Sequence, residues 1–206
     1  MNNLFYTLQQ KAKYHRPLMV GISGIDGSGK GYIGQKLFDG LISKGIKCEL
    51  IGIDGWLEKP SRRFSKENPA EHFYRKSFRF EEMNEKLIKP LKQDGKIDFI
   101  AQHSAPDHSE ELIDFHYDIN DVEILLVEGI FLFQEQFDFD YRIWIECSFE
   151  TAFERALVRN QEGLSEEALK EEYDTTYFPA QHLHFENDNP KDKADFILIN
   201  DHLLEK

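Results

Sequence analysis

Short apolar segments recur along the chain and predict the strands of one sheet. Each is mostly hydrophobic, as expected of a strand that is buried on both faces. They occupy residues 18–23, 47–53, 123–127, 142–146 and 196–199. Segments with helical spacing separate them, and strands that alternate with helices imply crossovers between parallel neighbours. The pattern therefore predicts an α/β fold in a single domain, residues 1–206, with a mostly parallel five-stranded sheet and helices on both faces.

Amphipathic spacing predicts helical regions between these strands, the first of them within residues 1–16. The expected helix starts are Asn2, Lys30, Asn68, Ser148 and Ser165. Residues 59–92 should be mostly helical, with Pro69 in a first turn and a break near Pro90. For residues 97–120 the pattern is ambiguous, and we expect a short strand and a loop.

The composition fits one folded domain with an acidic surface. The chain has 206 residues, of which 40% are hydrophobic, and a formal net charge of -13. Such a surface repels nucleic acid and anionic lipid, so partners of these two kinds are not expected. A polyanionic ligand would need a local cluster of cations and backbone N–H groups.

The N-terminal segment and the cysteines bear on location. Residues 1–17 lack the apolar core of a signal peptide, and no stretch approaches the ~20 apolar residues of a membrane span. Cys48 and Cys147 lie in apolar runs and are expected to be buried thiols in a reducing compartment. We therefore expect a soluble, cytoplasmic protein.

The strongest chemical signal is a glycine-rich turn between the first strand and the helix that starts at Lys30. This turn fits the pattern G-x-x-x-x-G-K in the strand–turn–helix setting that the phosphate-binding motif requires. Glycines let backbone N–H groups turn inward around a phosphate, and the lysine adds positive charge beside the helix N-terminus. The predicted nucleotide cradle comprises Gly24, Ile25, Asp26, Gly27, Ser28, Gly29, Lys30, Gly31 and Tyr32.

Two positions after the lysine limit the interpretation of this motif. Gly31 stands where a Ser or Thr usually offers a hydroxyl to Mg²⁺, and water could fill that ligand position. Tyr32 stands where a dinucleotide-binding fingerprint would need its third glycine. The Asn-Lys-x-Asp guanine reader that is usual in GTPases does not occur in the sequence. The motif is therefore interpreted as a P-loop with a weakened metal site.

Two carboxylates follow strands that should lie beside the P-loop strand. Asp54 comes directly after the second strand, and Glu128 ends the apolar run 125–127. Because ligands bind outside the carboxyl ends of parallel strands, both side chains should reach the same crevice. Asp54 could accept a proton from an attacking alcohol, or could merely cap a turn with Gly55. Glu128 could hold the water shell of a metal, orient an acceptor, or cap its loop.

With these segments, residues 18–200 resemble the uridine kinase-like P-loop kinases, a group that includes phosphoribulokinase, pantothenate kinase and nicotinamide riboside kinase. The resemblance implies a P-loop NTPase fold with a small lid, and ATP with Mg²⁺ as the phosphoryl donor. It implies that Asp54 faces the acceptor hydroxyl, with Trp56 nearby in an acceptor-binding helical region at about 58–93. It also implies that Glu128 contacts the metal or the acceptor.

The resemblance further implies a lid at about 155–185 that closes over ATP. Arg155 and Arg159 lie four residues apart and share one helical face, from which they would neutralise charge on the transferred phosphoryl group. A solvated basic face is the alternative. His108 is the residue that corresponds best to an acceptor-contacting histidine, and His103 lies in the same predicted loop.

The stretch 59–80 interleaves cations with aromatic residues and allows two interpretations. It could grip a phosphorylated acceptor or stack a base, or it could form helices with an aromatic core face and a charged outer face. Its members are Lys59, Arg62, Arg63, Phe64, Lys66, Phe73, Tyr74, Arg75, Lys76, Phe78, Arg79 and Phe80. His182 and His184 are interpreted as surface or packed histidines, because two such ligands alone are weak evidence for a metal.

Together these features predict ATP-dependent phosphoryl transfer to a hydroxyl of a small metabolite, with Lys30, Asp54, Arg155 and Arg159 as catalytic residues. A nucleoside such as uridine or cytidine is the acceptor that the resemblance favours, while pantothenate or another non-nucleoside stays open. The alternative is a nucleotide-binding regulator or degenerate kinase, because Gly31 and an arginine-poor lid weaken the catalytic set. Self-association into a homo-oligomer is also left open.

Overall fold

Five parallel strands form the central sheet, and a separate hairpin lies outside it. The computed structural model describes residues 1–14, 17–107, 109–160 and 163–201. The strands are β1 (Leu18–Gly24), β2 (Cys48–Gly52), β3 (Ile97–Ser104), β4 (Leu112–Ile119), β5 (Ile124–Gly129), β6 (Tyr141–Glu146) and β7 (Phe196–Ile199). The sheet order is β2-β5-β1-β6-β7, so β1 lies in the middle. The predicted α/β fold with a five-stranded parallel sheet is confirmed.

Helices cover both faces of this sheet. They are α1 (Asn2–Lys11), α2 (Lys30–Ile42), α3 (Pro60–Arg63), α4 (Pro69–Lys76), α5 (Phe80–Met83), α6 (Lys89–Asp94), α7 (Phe149–Arg159), α8 (Glu166–Glu172) and α9 (Phe178–Asp188). Along β1, Leu18 and Val20 face the core under α1 and α2, while Met19 faces the core on the other side. Burial on both faces explains why the strand is a continuous apolar run.

The N-terminal helix packs onto the sheet. In α1, Leu4 and Leu8 are buried in the same cluster as Leu37 and Leu41 of α2. Tyr6 on the opposite face of α1 is exposed. The helix therefore acts as a cover for one sheet face.

Residues 97–120 form an antiparallel hairpin, so the predicted short strand and loop are wrong. The two strands pair over their full lengths, from Ile97 with Ile119 to Ser104 with Leu112. Every second residue of β3 from Ile97 is at least partly buried. The exposed face also carries large apolar side chains, namely Ile100, Ile113 and Phe115. These residues obscure the alternation by which a half-buried strand is recognised.

The break predicted near Pro90 is also wrong, because helical backbone continues from Phe80 to Asp94. A π turn, Asn84–Ile88, precedes Pro90 with only Lys89 between them. Proline cannot donate the regular helical hydrogen bond and crowds the carbonyl one turn earlier, and a widened turn accommodates both effects. The same arrangement recurs where the π turn Tyr173–Tyr177 precedes Pro179 in α9.

The structure also bears on the two cysteines and on membrane-spanning helices. Cys48 and Cys147 are buried free thiols, and burial raises the pKa of Cys48 to about 12 and that of Cys147 to about 11. Across the described ranges, no helix combines the length and the apolar character needed to cross a bilayer.

Replacing Leu8 with alanine should test the role of α1. Leu8 is fully buried against the sheet, so Leu8→Ala should lower the free energy of unfolding by about 2–5 kcal/mol. Urea unfolding followed by circular dichroism would measure the change. Tyr6→Ala on the exposed face is the matched control and should change stability by less than about 0.5 kcal/mol. Equal effects of the two substitutions would contradict the packing of α1.

Candidate active site

The glycine-rich turn joins the buried end of β1 to the first turn of α2. Gly27 and Gly29 have positive φ values of 76° and 83°, a conformation that glycine adopts without strain. A Cβ atom on Gly27 would lie 2.4 Å from the carbonyl oxygen of Ala152 in α7. The turn is therefore packed directly against α7, and its conformation requires glycine.

The turn and the start of α2 line a cavity of about 320 Å³. Gly29 is the N-cap of the 13-residue helix α2, so the free N–H groups and the positive end of the helix dipole lie at this cavity. Lys30 adds its ammonium group. The lining residues are Asp26, Gly27, Gly29, Lys30, Gly31, Tyr32, Asp54, Glu128, Ile130, Arg155 and Arg159. Backbone donors, helix dipole and lysine together make this an anion site.

Arg155, a residue of α7, binds the glycine-rich turn from its outer side. Its guanidinium donates hydrogen bonds to the carbonyl oxygens of Gly27 at 3.4 Å and Ser28 at 3.2 Å. Asn200, directly after β7, donates a further hydrogen bond to the Ser28 carbonyl at 2.8 Å. The guanidinium of Arg155, predicted as part of a lid over ATP, is held in this structure by backbone carbonyls of the phosphate turn itself.

Arg159, one helical turn further on, reaches a different part of the site. Its guanidinium lies 3.5 Å from a carboxylate oxygen of Asp26, which also accepts a hydrogen bond from the Tyr173 hydroxyl. Burial opposes ionisation of Asp26, but the charges of Lys30 and Arg159 and the Tyr173 hydrogen bond outweigh it and lower the pKa of the carboxyl. Asp26 therefore stays ionised and links the turn to α7 and to the π turn before α9.

Asp54 and Glu128 lie at the carboxyl ends of neighbouring strands. The β2–β5 register pairs Gly52 with Glu128, and Asp54 follows in the 3₁₀ turn Ile53–Trp56. Burial raises the pKa of Glu128, the negative charge of Asp54 raises it further, and Lys30 opposes both. The structure thus brings both predicted carboxylates to the cavity of the phosphate turn, as the strand order requires.

The donor set at this point fits Mg²⁺. A Cβ atom on Gly31 would lie 3.9 Å from both carboxylate oxygens of Glu128, so Glu128 occupies the neighbourhood in which a Walker serine would stand. In the part of the chain that the structure describes, no group of three or more His, Cys, Asp or Glu residues is arranged to hold a metal. Mg²⁺ commonly uses only one or two carboxylates together with water and substrate phosphates. Asp54 and Glu128 satisfy that requirement.

A second cavity, of about 330 Å³, adjoins the first. The two share Asp26, Asp54, Ile130 and Arg159. The other lining residues of the second cavity are Leu57, Arg63, Phe64, Phe73, Phe78, Leu164, Glu172, Tyr177 and Gln181. Four of these belong to the basic-aromatic stretch, whose remaining members are mostly exposed or packed in the core. The sequence did not predict Gln181 and Tyr177 as site residues, because no local motif marks them. Only the packing of α9 against α4 brings them to the second cavity.

Trp56 does not line either cavity and is corrected to a core residue. Its side chain is fully buried, and the indole N–H donates a hydrogen bond to the Tyr117 hydroxyl at 3.1 Å. The Tyr117 hydroxyl also lies 2.9 Å from His103 Nε2. A Cβ atom on Gly55 would lie 2.4 Å from His103 Nδ1, so the turn that carries Asp54 packs directly against the His103 ring.

The other candidate histidines have structural positions or fall outside the described ranges. His103 lies in β3 and not in a loop, and His108 is among the residues that the structure does not describe. His184 is buried, and its Nδ1 lies 2.7 Å from Asp188, which also accepts a hydrogen bond from Tyr74. His182 packs against the Phe149 ring. The expectation that His182 and His184 are surface or packed histidines agrees with these contacts, since His182 is exposed and His184 is buried.

Comparisons with known proteins bear on this geometry. No profile of a known protein family matches the chain, and no similar sequence occurs among curated proteins. Solved structures are similar. A protein described as a possible uridine kinase from Bacillus stearothermophilus gives a TM-score of 0.70 at 16% identity, over 95% of this chain and 99% of that chain. D-glycerate 3-kinase from Cryptococcus neoformans gives 0.70 at 12% identity, over 97% and 94% of the two chains.

The chain has the P-loop kinase fold. The predicted resemblance to uridine kinase-like proteins is therefore confirmed at the level of fold. The same fold occurs in a protein from Silicibacter that is provisionally described as a fructose transport system kinase, with a TM-score of 0.67 at 18% identity over 88% of this chain and 89% of that one. Because these kinases are named for different acceptors, the fold alone does not select one.

Protonation of His103 should destabilise the fold. Burial lowers the pKa of His103 from 6.5 to about 4, and the nearby Arg79 lowers it too, so the neutral ring is favoured in the folded state. The stability from the neutral ring is present above pH 6.5 and is lost as the pH falls towards 4. Between pH 7 and pH 5 this linkage should cost on the order of 1–2 kcal/mol.

Urea unfolding at the two pH values would measure this effect. His103→Gln has no group that titrates in this range, so it should lose less stability than the parent protein between pH 7 and pH 5. His116→Gln is the control, because His116 is exposed and pairs with the exposed Asp98. Parallel pH profiles for the parent protein and His103→Gln would refute the assigned role of His103.

Proposed function

We propose that this protein is an ATP-dependent kinase that transfers the γ-phosphoryl group to a hydroxyl of a small metabolite. One observation carries the proposal: Asp54 is among the residues that line both the cavity of the phosphate turn and a second, largely apolar cavity. A donor nucleotide in the first cavity and an acceptor in the second would therefore face each other across a potential base. The P-loop kinase fold of the solved neighbours supports the same function.

The first cavity supplies phosphate binding and charge neutralisation. The N–H groups of the turn and of α2 hold the β-phosphate, while Lys30 balances charge on the β- and γ-phosphate oxygens. Arg155 and Asn200 keep the turn in place by binding its carbonyl oxygens. Arg159, which lines both cavities, is proposed to neutralise charge on the transferred group.

Asp54 is proposed to act as the general base. The acceptor hydroxyl gives its proton to the Asp54 carboxylate while its oxygen forms a bond to the γ-phosphorus. The bond between that phosphorus and the oxygen bridging to the β-phosphate breaks, and ADP leaves with the bonding electrons. Positioning and electrostatic stabilisation account for most of the catalysis in such transfers.

Mg²⁺ would be held by Glu128 together with water and the phosphates, and when bound it would neutralise charge on the β- and γ-phosphate oxygens. Burial raises the pKa of Glu128 despite the charge of Lys30, and a bound Mg²⁺ would favour the ionised carboxylate. A uridine or cytidine acceptor remains a prediction from the family resemblance alone. The alternative of a regulator with little turnover is favoured by Gly31 and by the use of Arg155 as a brace.

Replacing Asp54, the proposed general base, distinguishes a kinase from a nucleotide-binding regulator. Asp54→Asn should lower kcat by about 10²–10⁴-fold and leave ATP affinity within a factor of a few. Coupled ADP release would be measured with a panel of nucleosides, pantothenate, nicotinamide riboside, glycerate and sugar phosphates. Nucleotide affinity would be measured with a fluorescent ATP analogue.

Glu49→Gln is the matched control, because Glu49 is an exposed acid on β2, the strand that leads to Asp54. It should leave turnover unchanged. Equal turnover in Asp54→Asn and the parent protein would refute Asp54 as the base. Tight ATP binding without acceptor-stimulated ADP release from any compound of the panel would favour the regulator.

Restoring a hydroxyl at position 31 should strengthen metal use. Gly31→Ser places an oxygen near Glu128, so the Mg²⁺ concentration for half-maximal nucleotide binding should fall by several-fold, on the order of 3–10-fold. A Mg²⁺ titration with the fluorescent ATP analogue would detect the shift. Gly31→Ala adds the Cβ atom without the hydroxyl and should not show the gain. Identical shifts in the two variants would contradict a metal near Glu128.

A further inference from the structure

Two buried side chains that line the second cavity have polar atoms without a hydrogen-bond partner among the described residues. Arg63 at the end of α3 is only 8% exposed, and its Nε has no hydrogen-bond partner. Gln181 in α9 is fully buried, and neither its amide nitrogen nor its amide oxygen has a partner. Both residues belong to the lining of the cavity that also contains Asp54.

Such groups are costly unless something binds them. A buried donor or acceptor without a partner costs about 1–3 kcal/mol, and more when it is charged, so folded proteins rarely keep one without a reason. The nearby arginines on the same stretch have carboxylate partners. Arg75 pairs with Glu71 at 3.1 Å. Arg79 pairs with Glu82 at 2.7 Å, although its Nε, like that of Arg63, has no hydrogen-bond partner among the described residues.

Arg63 differs from these arginines in its charge environment. None of the described carboxylates forms an ion pair with it. Burial lowers the pKa of Arg63, whereas Tyr177, Asp54 and Glu110 favour its charged form. An arginine keeps its charge at neutral pH under such conditions. The guanidinium carbon lies 5.0 Å from the centroid of the Phe64 ring, which orients the cation beside the cavity.

The remaining walls restrict the size and character of an occupant. Phe64, Phe73 and Phe78 provide aromatic surface, and the cavity of about 330 Å³ is near the lower end for small-molecule sites. An occupant must therefore be small and carry a negatively charged group for Arg63. It must also offer both a donor and an acceptor to Gln181, which a hydroxyl group does.

We infer that the acceptor is a small hydroxylated anion, whose carboxylate or phosphate group binds the Arg63 guanidinium and whose hydroxyl group hydrogen-bonds with the Gln181 amide. A hydroxyl of the same molecule then faces Asp54. The inference rests on the proposed function, because it assigns the acceptor of that same site. It disfavours a neutral nucleoside, which has no anionic group to pair with Arg63.

Calorimetric binding to the full chain tests the inference without requiring turnover. Glycerol is compared with D-glycerate, which adds a carboxylate, and with glycerol 3-phosphate, which adds a phosphate. Pantothenate is compared with pantothenyl alcohol, ribose 5-phosphate with ribose, and uridine is the neutral nucleoside. We expect at least one anion to bind at least ~10-fold more tightly than its neutral counterpart, the size of one hydrogen bond to a charged group. Whether a carboxylate or a phosphate gives the tighter binding identifies the anionic group that Arg63 recognises.

Variants of two adjacent arginines supply the matched comparison. Arg63→Gln should weaken binding of that anion by about 10–100-fold. Arg63→Lys keeps the charge and should restore part of the affinity. Arg62→Gln is the control, because the Arg62 side chain is 73% exposed and lies 4.0 Å from Glu58. It should change the affinity by less than twofold.

Gln181→Leu distinguishes ligand binding from a structural role. Replacing an unpartnered buried amide with an apolar side chain of similar size should leave the melting temperature unchanged or raise it. The affinity for the anion should nevertheless fall by several-fold. A lower melting temperature in Gln181→Leu would show that the amide stabilises the fold, and would overturn its assignment to the ligand.

Three further outcomes would overturn the inference. In the first, uridine or a neutral counterpart binds as tightly as every anion. In the second, no anion binds, and in the third, Arg63→Gln and the parent protein bind the anion with equal affinity.

ADP release with the bound anion then separates the two proposals. Arg63-dependent anion binding without ADP release upholds the anion site and refutes the kinase. ADP release with a neutral acceptor, unchanged in Arg63→Gln, upholds the kinase and refutes the anion site.

Discussion

The hydrogen bonds that hold the outer side of the phosphate turn are the interaction on which the rest of the site depends. A turn that directs its N–H groups towards a ligand directs carbonyl oxygens the other way, and those oxygens need donors when they are not in water. Arg155 and Asn200 provide these donors at Ser28. Because α7 and the residue after β7 supply them, the conformation of the turn depends on the packing of the far half of the sheet.

The sequence predicted well those features that depend on residues close together along the chain. The apolar run of β1, the glycines after it and the start of α2 at Lys30 form one local unit, and its motif requires that order. Asp54 and Glu128 were also predicted to meet, because the ends of parallel strands share one edge of a sheet. Their catalytic and metal-binding roles stay predictions.

Features that depend on packing between distant segments were not predictable. The aromatic character of Trp56 could not distinguish a ligand contact from a core residue, and only its hydrogen bond to Tyr117 of the hairpin decides between them. Arg63 and Gln181 are far apart in sequence and meet only because the helices after β2 pack against α9. Arg155 has the spacing of a lid arginine, but the close approach of α7 to Gly27 places it under the turn.

The π turn before Pro179 sets the angular phase of the helix that follows. A π turn contains one residue more than an α-helical turn, and one residue corresponds to a rotation of about 100° around the helix axis. Tyr177 lies in this turn and Gln181 lies after it, and both face the second cavity. The wide turn absorbs this extra residue, so the side of α9 that carries Gln181 stays interior instead of rotating by that angle. Removing one residue from the turn while the backbone relaxes to a regular α-helix would therefore leave the same side chains of α9 at the cavity, with no change in the sheet.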